Sequence, residues 1–138
     1  MRITLFVLLL ALSSQITFAQ NDGILPRHPA ISPDAEKITF SYQGDIWTAD
    51  TDGSNAKRLT IHEAYEEAPK WSPDGAQIAF SGDRYGNADL YVVSADGGVP
   101  RRVTWNSASD QLSDWTPDGR LLFETYRLFR QVERDAEI

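Results

Sequence analysis

Trp71-Ser72-Pro73-Asp74-Gly75 returns forty-four residues later as Trp115-Thr116-Pro117-Asp118-Gly119, and no other feature constrains the chain so strongly. The same offset carries Asp52-Gly53 onto Asp96-Gly97, Lys57-Arg58-Leu59-Thr60 onto Arg101-Arg102-Val103-Thr104, and Asp45-Ile46-Trp47 onto Asp89-Leu90-Tyr91. At an offset of forty, Ile31-Ser32-Pro33-Asp34 falls on Trp71 to Asp74. The difference of four is a longer hairpin in the second copy, where Ser81 to Tyr91 stands in place of Ser41 to Trp47. Periods of this size belong to propellers, solenoids or arrays.

Local chemistry selects among these. In the second copy a first strand over Ala68 to Ser72 stops at Pro73-Asp74-Gly75. There Pro fixes φ, Asp accepts from the backbone two residues on, and Gly supplies a positive φ. A second strand is expected over Gln77 to Ser81 and a third over Asp89 to Ser94, which is rich in β-branched and aromatic residues. Asp96-Gly97-Gly98 then turns the chain into an outer strand, Arg101 to Trp105. The charges of Arg101 and Arg102 suit an edge that must not pair with a neighbour. Only Tyr126 to Val132 hints at a helical period. Four strands per forty-odd residues make one blade, so the fold class is all-β, a β-propeller of four-stranded blades. The first copy departs from the pattern at Ala35, where the others have Gly75 and Gly119. If that turn needs a positive φ, Ala costs about 1 kcal/mol there.

The repeat divides residues 20–138 into blade 1 at about 28–67, blade 2 at about 68–111 and a partial blade 3 at about 112–138. Glu137-Ile138 occupies the place of Asp45-Ile46 and Asp89-Leu90, so the sequence stops on the opening of a third strand. A propeller closes with about four to eight blades. Two and a half therefore read as a truncated propeller, with further blades expected.

Residues 1–19 have the layout of a secretory signal: Met1-Arg2, an apolar run from Ile3 to Leu12, and small residues ending at Ala19. The run is too short for the roughly 20 apolar residues of a membrane span. Cleavage is expected between Ala19 and Gln20. The chain has no cysteine, hence no lipid-attachment site and no disulfide framework. Removing the signal takes away one base and no acid, which moves the net charge from −7 to −8. Such a surface excludes nucleic acid, which demands basic grooves, and does not adhere to anionic lipid once the signal is gone. The expected location is the periplasm.

Candidate chemistry is sparse. Asp50-Thr51-Asp52-Gly53 opens like a calcium loop, but Asn55 and Ile61 stand where that loop needs Gly and Glu, so a β-turn is expected. His28 and His62 are the only histidines, and neither has a second metal ligand at useful spacing. His62 matches Asn106 of the next copy, which points to a shared loop role. No Gly-x-Ser-x-Gly elbow occurs. Ser32, Ser72 and Thr116 sit in turns, where a hydroxyl caps backbone groups. Asp45 and Asp89 read as acceptors for local N–H groups rather than as acids lining a tunnel. Trp47, Trp71, Tyr91, Trp105 and Trp115 recur at equivalent places, and most of them are assigned to packing between blades, with a peptide-binding aromatic rim as the alternative. No catalytic residue, metal ligand or cofactor is assigned.

The repeat lacks the Gly-His and Trp-Asp marks of WD repeats. Its Trp-Ser-Pro-Asp-Gly, Ile-Ala-Phe-Ser, Asp-hydrophobic-aromatic and Asp-Gly-Gly resemble the repeat shared by the TolB translocation protein, prolyl-oligopeptidase-like propellers and the tricorn protease family. Arg27 to Asp34, Ser41 to Trp47, Asp83-Arg84-Tyr85-Gly86-Asn87, Asp114 to Gly119 and the tail Gln131 to Ile138 are most similar to a bacterial tricorn homologue. That resemblance implies the front of an exported serine peptidase whose catalytic residues lie far downstream and whose propellers gate peptides. The implied partners are the rest of the polypeptide, peptide or protein substrates, and further copies of itself. The alternative is a TolB-like periplasmic propeller that binds proteins without enzymatic activity.

Overall fold

The computed structural model describes residues 25–127, so the signal segment 1–19 and the tail 128–138 lie outside the described residues. The described chain is all strand and turn. Strands β1 (Arg27–Ile31), β2 (Lys37–Tyr42), β3 (Asp45–Asp50) and β4 (Lys57–Arg58) form one antiparallel sheet in that order. Strands β5 (Glu66–Trp71), β6 (Gln77–Gly82), β7 (Asp89–Ser94) and β8 (Arg101–Arg102) form a second. Strands β9 (Asp110–Trp115) and β10 (Leu121–Thr125) pair as a third. This is a partial β-propeller of four-stranded sheets.

Side chains alternate across each pleat, so the middle sheet buries both faces. One face presents Ile78, Phe80, Tyr91 and Val93, which pack with Trp71 against Ile46 and Leu59 of the first sheet. The other presents Ala79, Leu90 and Val92, which pack against Leu112. Each fully buried Phe or Ile of this kind contributes about 1.5–3 kcal/mol. The tryptophans add a directional bond. Trp71 Nε1 donates to the Ala30 carbonyl at 3.2 Å, and Trp115 Nε1 donates to the Lys70 carbonyl at 3.1 Å. Each indole thus ties the first strand of its sheet to the first strand of the sheet before.

The turns after β1, β5 and β9 share one construction. Asp34 and Asp74 accept from the backbone N–H two residues on, at 3.1 and 3.0 Å. Ser32 and Ser72 accept from the N–H that opens the next strand, and Thr116 from Arg120 just before it, at 2.9 Å in all three turns. Hydrogen bonds from these hydroxyls, first of all, hold the Asp34, Asp74 and Asp118 carboxyls below their ordinary value. The position after the Asp has φ 60° at Ala35, 71° at Gly75 and 80° at Gly119. The first turn is therefore the same turn, and Ala35 carries its strain.

Three expectations are corrected. Strand β5 begins at Glu66 rather than Ala68, because Glu66 pairs with Gly82 and Glu67 with Ser81 around a bulge at Ala68, φ 53°. That bulge breaks the alternation from which a strand is read. The outer strand stops at Arg102 instead of reaching Trp105. Its third residue still bonds β7, Val103 N to Leu90 O at 2.7 Å, but Thr104 then turns inward and its Oγ1 takes the Leu90 N–H at 3.0 Å. Trp105, just beyond, is 68% exposed and belongs to no core.

Candidate functional site

Alternating strand direction gives the stacked sheets two rims. The turns after β1, β3, β5, β7 and β9 form one, and the connections after β2, β4, β6, β8 and β10 form the other. The first rim carries exposed Asp34, Glu36, Asp52, Asp74, Asp96 and Asp118. The second carries the exposed Leu25, Ile61, Tyr65, Tyr85, Trp105 and Tyr126.

Arginine–carboxylate pairs hold the second rim. Arg58 donates from Nη2 to Asp45 Oδ2 at 2.5 Å and from Nε to the Thr60 carbonyl at 3.1 Å. Arg102 repeats both bonds, to Asp89 Oδ2 at 2.6 Å and to the Thr104 carbonyl at 2.8 Å. Asp45 and Asp89 are buried, which corrects their expected role. Each pairs with an arginine thirteen residues on, and Asp45 Oδ1 also accepts the His62 N–H at 3.1 Å, so their partners lie across the sheet rather than in a local turn. Arg102 is accordingly a clamp as well as an edge charge, and its guanidinium also lies 4.4 Å from the Tyr85 ring centre.

A second set of pairs starts from the acid that opens β5 or β9, and the first of these acids also bonds the sheet before. Glu66, wholly buried at the start of β5, accepts from Thr60 Oγ1 of the preceding sheet's last connection. Its other oxygen takes a fork from Arg84, with Nε at 2.8 Å and Nη2 at 2.5 Å. The Arg84 guanidinium lies 4.7 Å from the Tyr91 ring centre, a cation–π geometry. Asp110 holds the equivalent place at the start of β9 and pairs with Arg127 at 2.5 Å. Burial pushes its carboxyl up, but the hydroxyls of Thr125 and Thr104 together with Arg127 outweigh burial and hold it below the ordinary range. Burial also pushes the Tyr91 phenol up.

The two hairpins on this rim differ. The β2–β3 hairpin turns through Gln43 and Gly44, φ 53° and 87°, the two positive values a tight type I′ turn requires. The longer β6–β7 loop instead supplies Asp83, Arg84 and Tyr85. Sequence reasoning registered the insertion as a difference of four in length and missed the role of Arg84.

Two open clefts share Tyr65 as a common wall. The larger, about 670 Å³, is also lined by Leu25, Arg27, Tyr42, His62 and Glu63. The smaller, about 170 Å³, is lined by Glu67, Asp83, Ala88 and Gln111. Tyr65 N donates to Asp83 Oδ1 at 2.9 Å, which fixes the ridge between them. His62 serves its loop: Nδ1 accepts from Ala64 N at 2.9 Å, as Asn106 Oδ1 accepts from Ala108 N at 2.9 Å. His28 Nδ1 lies 3.0 Å from Ser41 Oγ, whose hydroxyl donates to the Arg27 carbonyl. His62 lines the larger cleft and His28 does not. Asp50-Thr51-Asp52-Gly53 forms a turn, with Gly53 N bonded to Asp50 O at 2.9 Å. Among the described residues, no cluster of three or more His, Asp or Glu side chains has the arrangement of a metal site.

The family description "Tricorn protease N-terminal beta propeller domain" matches residues 24–136. The chain belongs to that family. Within this tricorn-type propeller, a stretch of 54 residues is 35% identical to tricorn protease homolog 1 of Streptomyces coelicolor, covering 39% of the chain and 5% of that relative. The putative TolB of Agrobacterium tumefaciens superimposes with a TM-score of 0.68 at 29% identity, over 76% of this chain and 40% of that one. The crystal structure of the tricorn protease gives 0.63 at 24% identity, over 72% of this chain and 10% of that one, a likeness of fold. The chain thus spans a small part of its curated relative and under half of either solved structure.

Proposed function

We propose that this propeller is a non-catalytic segment of an exported tricorn-like serine peptidase, gating or channelling peptides toward a distant proteolytic core. The family match over residues 24–136 carries the reading. Two features support it. The repeat's recurring acids serve turns and ion pairs, and His62 caps its own loop. The blades offer walls and rims to a passing chain rather than reacting groups. The partners on this reading are further blades and a peptidase domain of the same polypeptide, peptide or protein substrates, and further copies of the molecule. Export rests on residues 1–19, and N-terminal sequencing of the mature protein is expected to begin at Gln20.

A second reading, a TolB-like binding propeller without enzymatic activity, draws on the superposition with the Agrobacterium tumefaciens protein. Sequencing the reading frame beyond Ile138 separates the two. The peptidase reading expects a second propeller, a PDZ-like module and a serine peptidase domain. A stop codon after three or four more blades would overturn it in favour of the binding propeller.

A further inference from the structure

We infer that the double cleft around Tyr65 is a docking groove for an extended polypeptide that carries lysine or arginine side chains among apolar ones. The assignment rests on the polypeptide-handling reading above and names the surface and the chemistry of the chain handled.

Shape comes first. The groove runs across the rim from the first sheet, at Leu25 and Tyr42, over Tyr65 to Gln111 of the third. It therefore spans all three sheets with one aromatic ridge at its centre. Leu25 is 74% exposed and Tyr65 48%, so apolar surface faces solvent on both sides of the ridge. An extended chain places successive side chains on opposite sides of its backbone, and a ridge flanked by two hollows suits that alternation. A groove of this volume falls within the range of sites that hold small ligands or side chains.

Charge decides the occupant. Three carboxylates line the groove, Glu63 in the larger cleft and Glu67 and Asp83 in the smaller, against the single cation Arg27. None of the three has an ion-pair partner among the described residues. The arginines that might have neutralised this rim, Arg58, Arg84, Arg102 and Arg127, are each committed to another carboxylate. An excess of uncompensated carboxylate beside an exposed tyrosine ring attracts a cationic side chain, through complementary charge and through the ring face. It repels an acidic peptide and the anionic surface of a membrane. The turn rim is acidic too, but Asp34, Asp74 and Asp118 accept hydrogen bonds within their own turns and no exposed aromatic stands among them.

The test uses the intact polypeptide and two fluorescent peptides, one of alternating lysine and leucine and one with glutamate in place of lysine, read by anisotropy. The lysine peptide is expected to bind at least about tenfold more tightly, a difference of about 1.4 kcal/mol. Tyr65→Ala and the double variant Glu63→Gln/Glu67→Gln are expected to lose most of that preference, while Tyr65→Phe keeps it. Asp74→Asn on the opposite rim leaves it unchanged. If Tyr65→Ala disturbs folding, the double variant decides, because it alters charge alone at surface positions. Equal affinity for the two peptides, or a preference abolished by Asp74→Asn instead, overturns the groove while leaving a role in peptide traffic standing. Failure to bind either peptide also overturns it, and hydrolysis of unfolded protein by the intact polypeptide then judges the proposed function separately.

Discussion

The two rims of the propeller are built by different rules. On the turn rim each turn is closed locally: Ser72 and Asp74 close one between themselves and their neighbours, and Ser32 with Asp34 or Thr116 with Asp118 do the same, while Lys57 Nζ reaches across to the Asp96 carbonyl of the next sheet at 2.8 Å. On the loop rim the ion pairs span thirteen to eighteen residues and join strands of one sheet, as Arg58 does to Asp45 and Arg84 to Glu66. The local rim is copied nearly unchanged from blade to blade. The other rim varies in loop length and in its exposed residues, Tyr65 and Tyr85 among them. Short-range chemistry thus shapes each blade. Long-range ion pairs brace the far rim of each blade, while the Trp71 and Trp115 indoles and the Thr60–Glu66 bond join one blade to the next.

The sharpest way to break this comparison is to remove a fastener. Glu66→Ala leaves Arg84 half-buried beside Tyr91 without its carboxylate and strips Thr60 of its acceptor. Loss of one partner of a buried pair costs about 3–5 kcal/mol, so a large fall in the urea midpoint is expected. Asp74→Asn, on the local rim, is expected to change it little. Equal effects would show that the two rims are not held differently.

A middle-sized effect is expected from Trp71→Phe. Packing is largely kept, and the loss is the indole bond to the Ala30 carbonyl, worth about 1 kcal/mol. Trp115→Phe should match it, since its bond to Lys70 is the same bond one sheet on.

How much of this was legible beforehand follows the same division. The Trp-x-Pro-Asp-Gly turns, their serine and aspartate roles and the strand from Asp89 to Ser94 were readable, because each depends on residues a few positions apart. The strain at Ala35 could be posed as a question, and φ 60° answers it. The ion pairs could not be read, since no local pattern says which arginine meets which acid across a sheet. Trp105 misled because its repeat position ends an outer strand that Thr104 cuts short. The bulge at Ala68 hid two residues of β5 for a related reason: no glycine announces its positive φ.

Acid titration should expose the local rim. Asp34, Asp74 and Asp118 have carboxyls held below the ordinary 3.8 in the folded chain. Their stabilising contribution is complete above about pH 4 and is lost as pH falls through the lower native values. The urea midpoint is expected to drop below about pH 4, and more shallowly in Asp34→Asn/Asp74→Asn. An unchanged slope would remove these turns from the acid response. The smallest effect is expected from Ala35→Gly. It relieves a left-handed alanine but loosens the unfolded chain, terms of about 1 kcal/mol that oppose each other. A slight gain in melting temperature would match the strain at this turn, and a clear loss would not.

The central claim is that these blades contribute geometry and no reacting group. Its most direct test is the kcat for hydrolysis of unfolded protein by the intact polypeptide, measured with His28→Ala and with His62→Asn. The second variant preserves the Ala64 cap in the way Asn106 caps Ala108. The account predicts an unchanged kcat in both. A kcat lowered a hundredfold or more, the order of a lost acid–base group, in either variant with its melting temperature intact would contradict it.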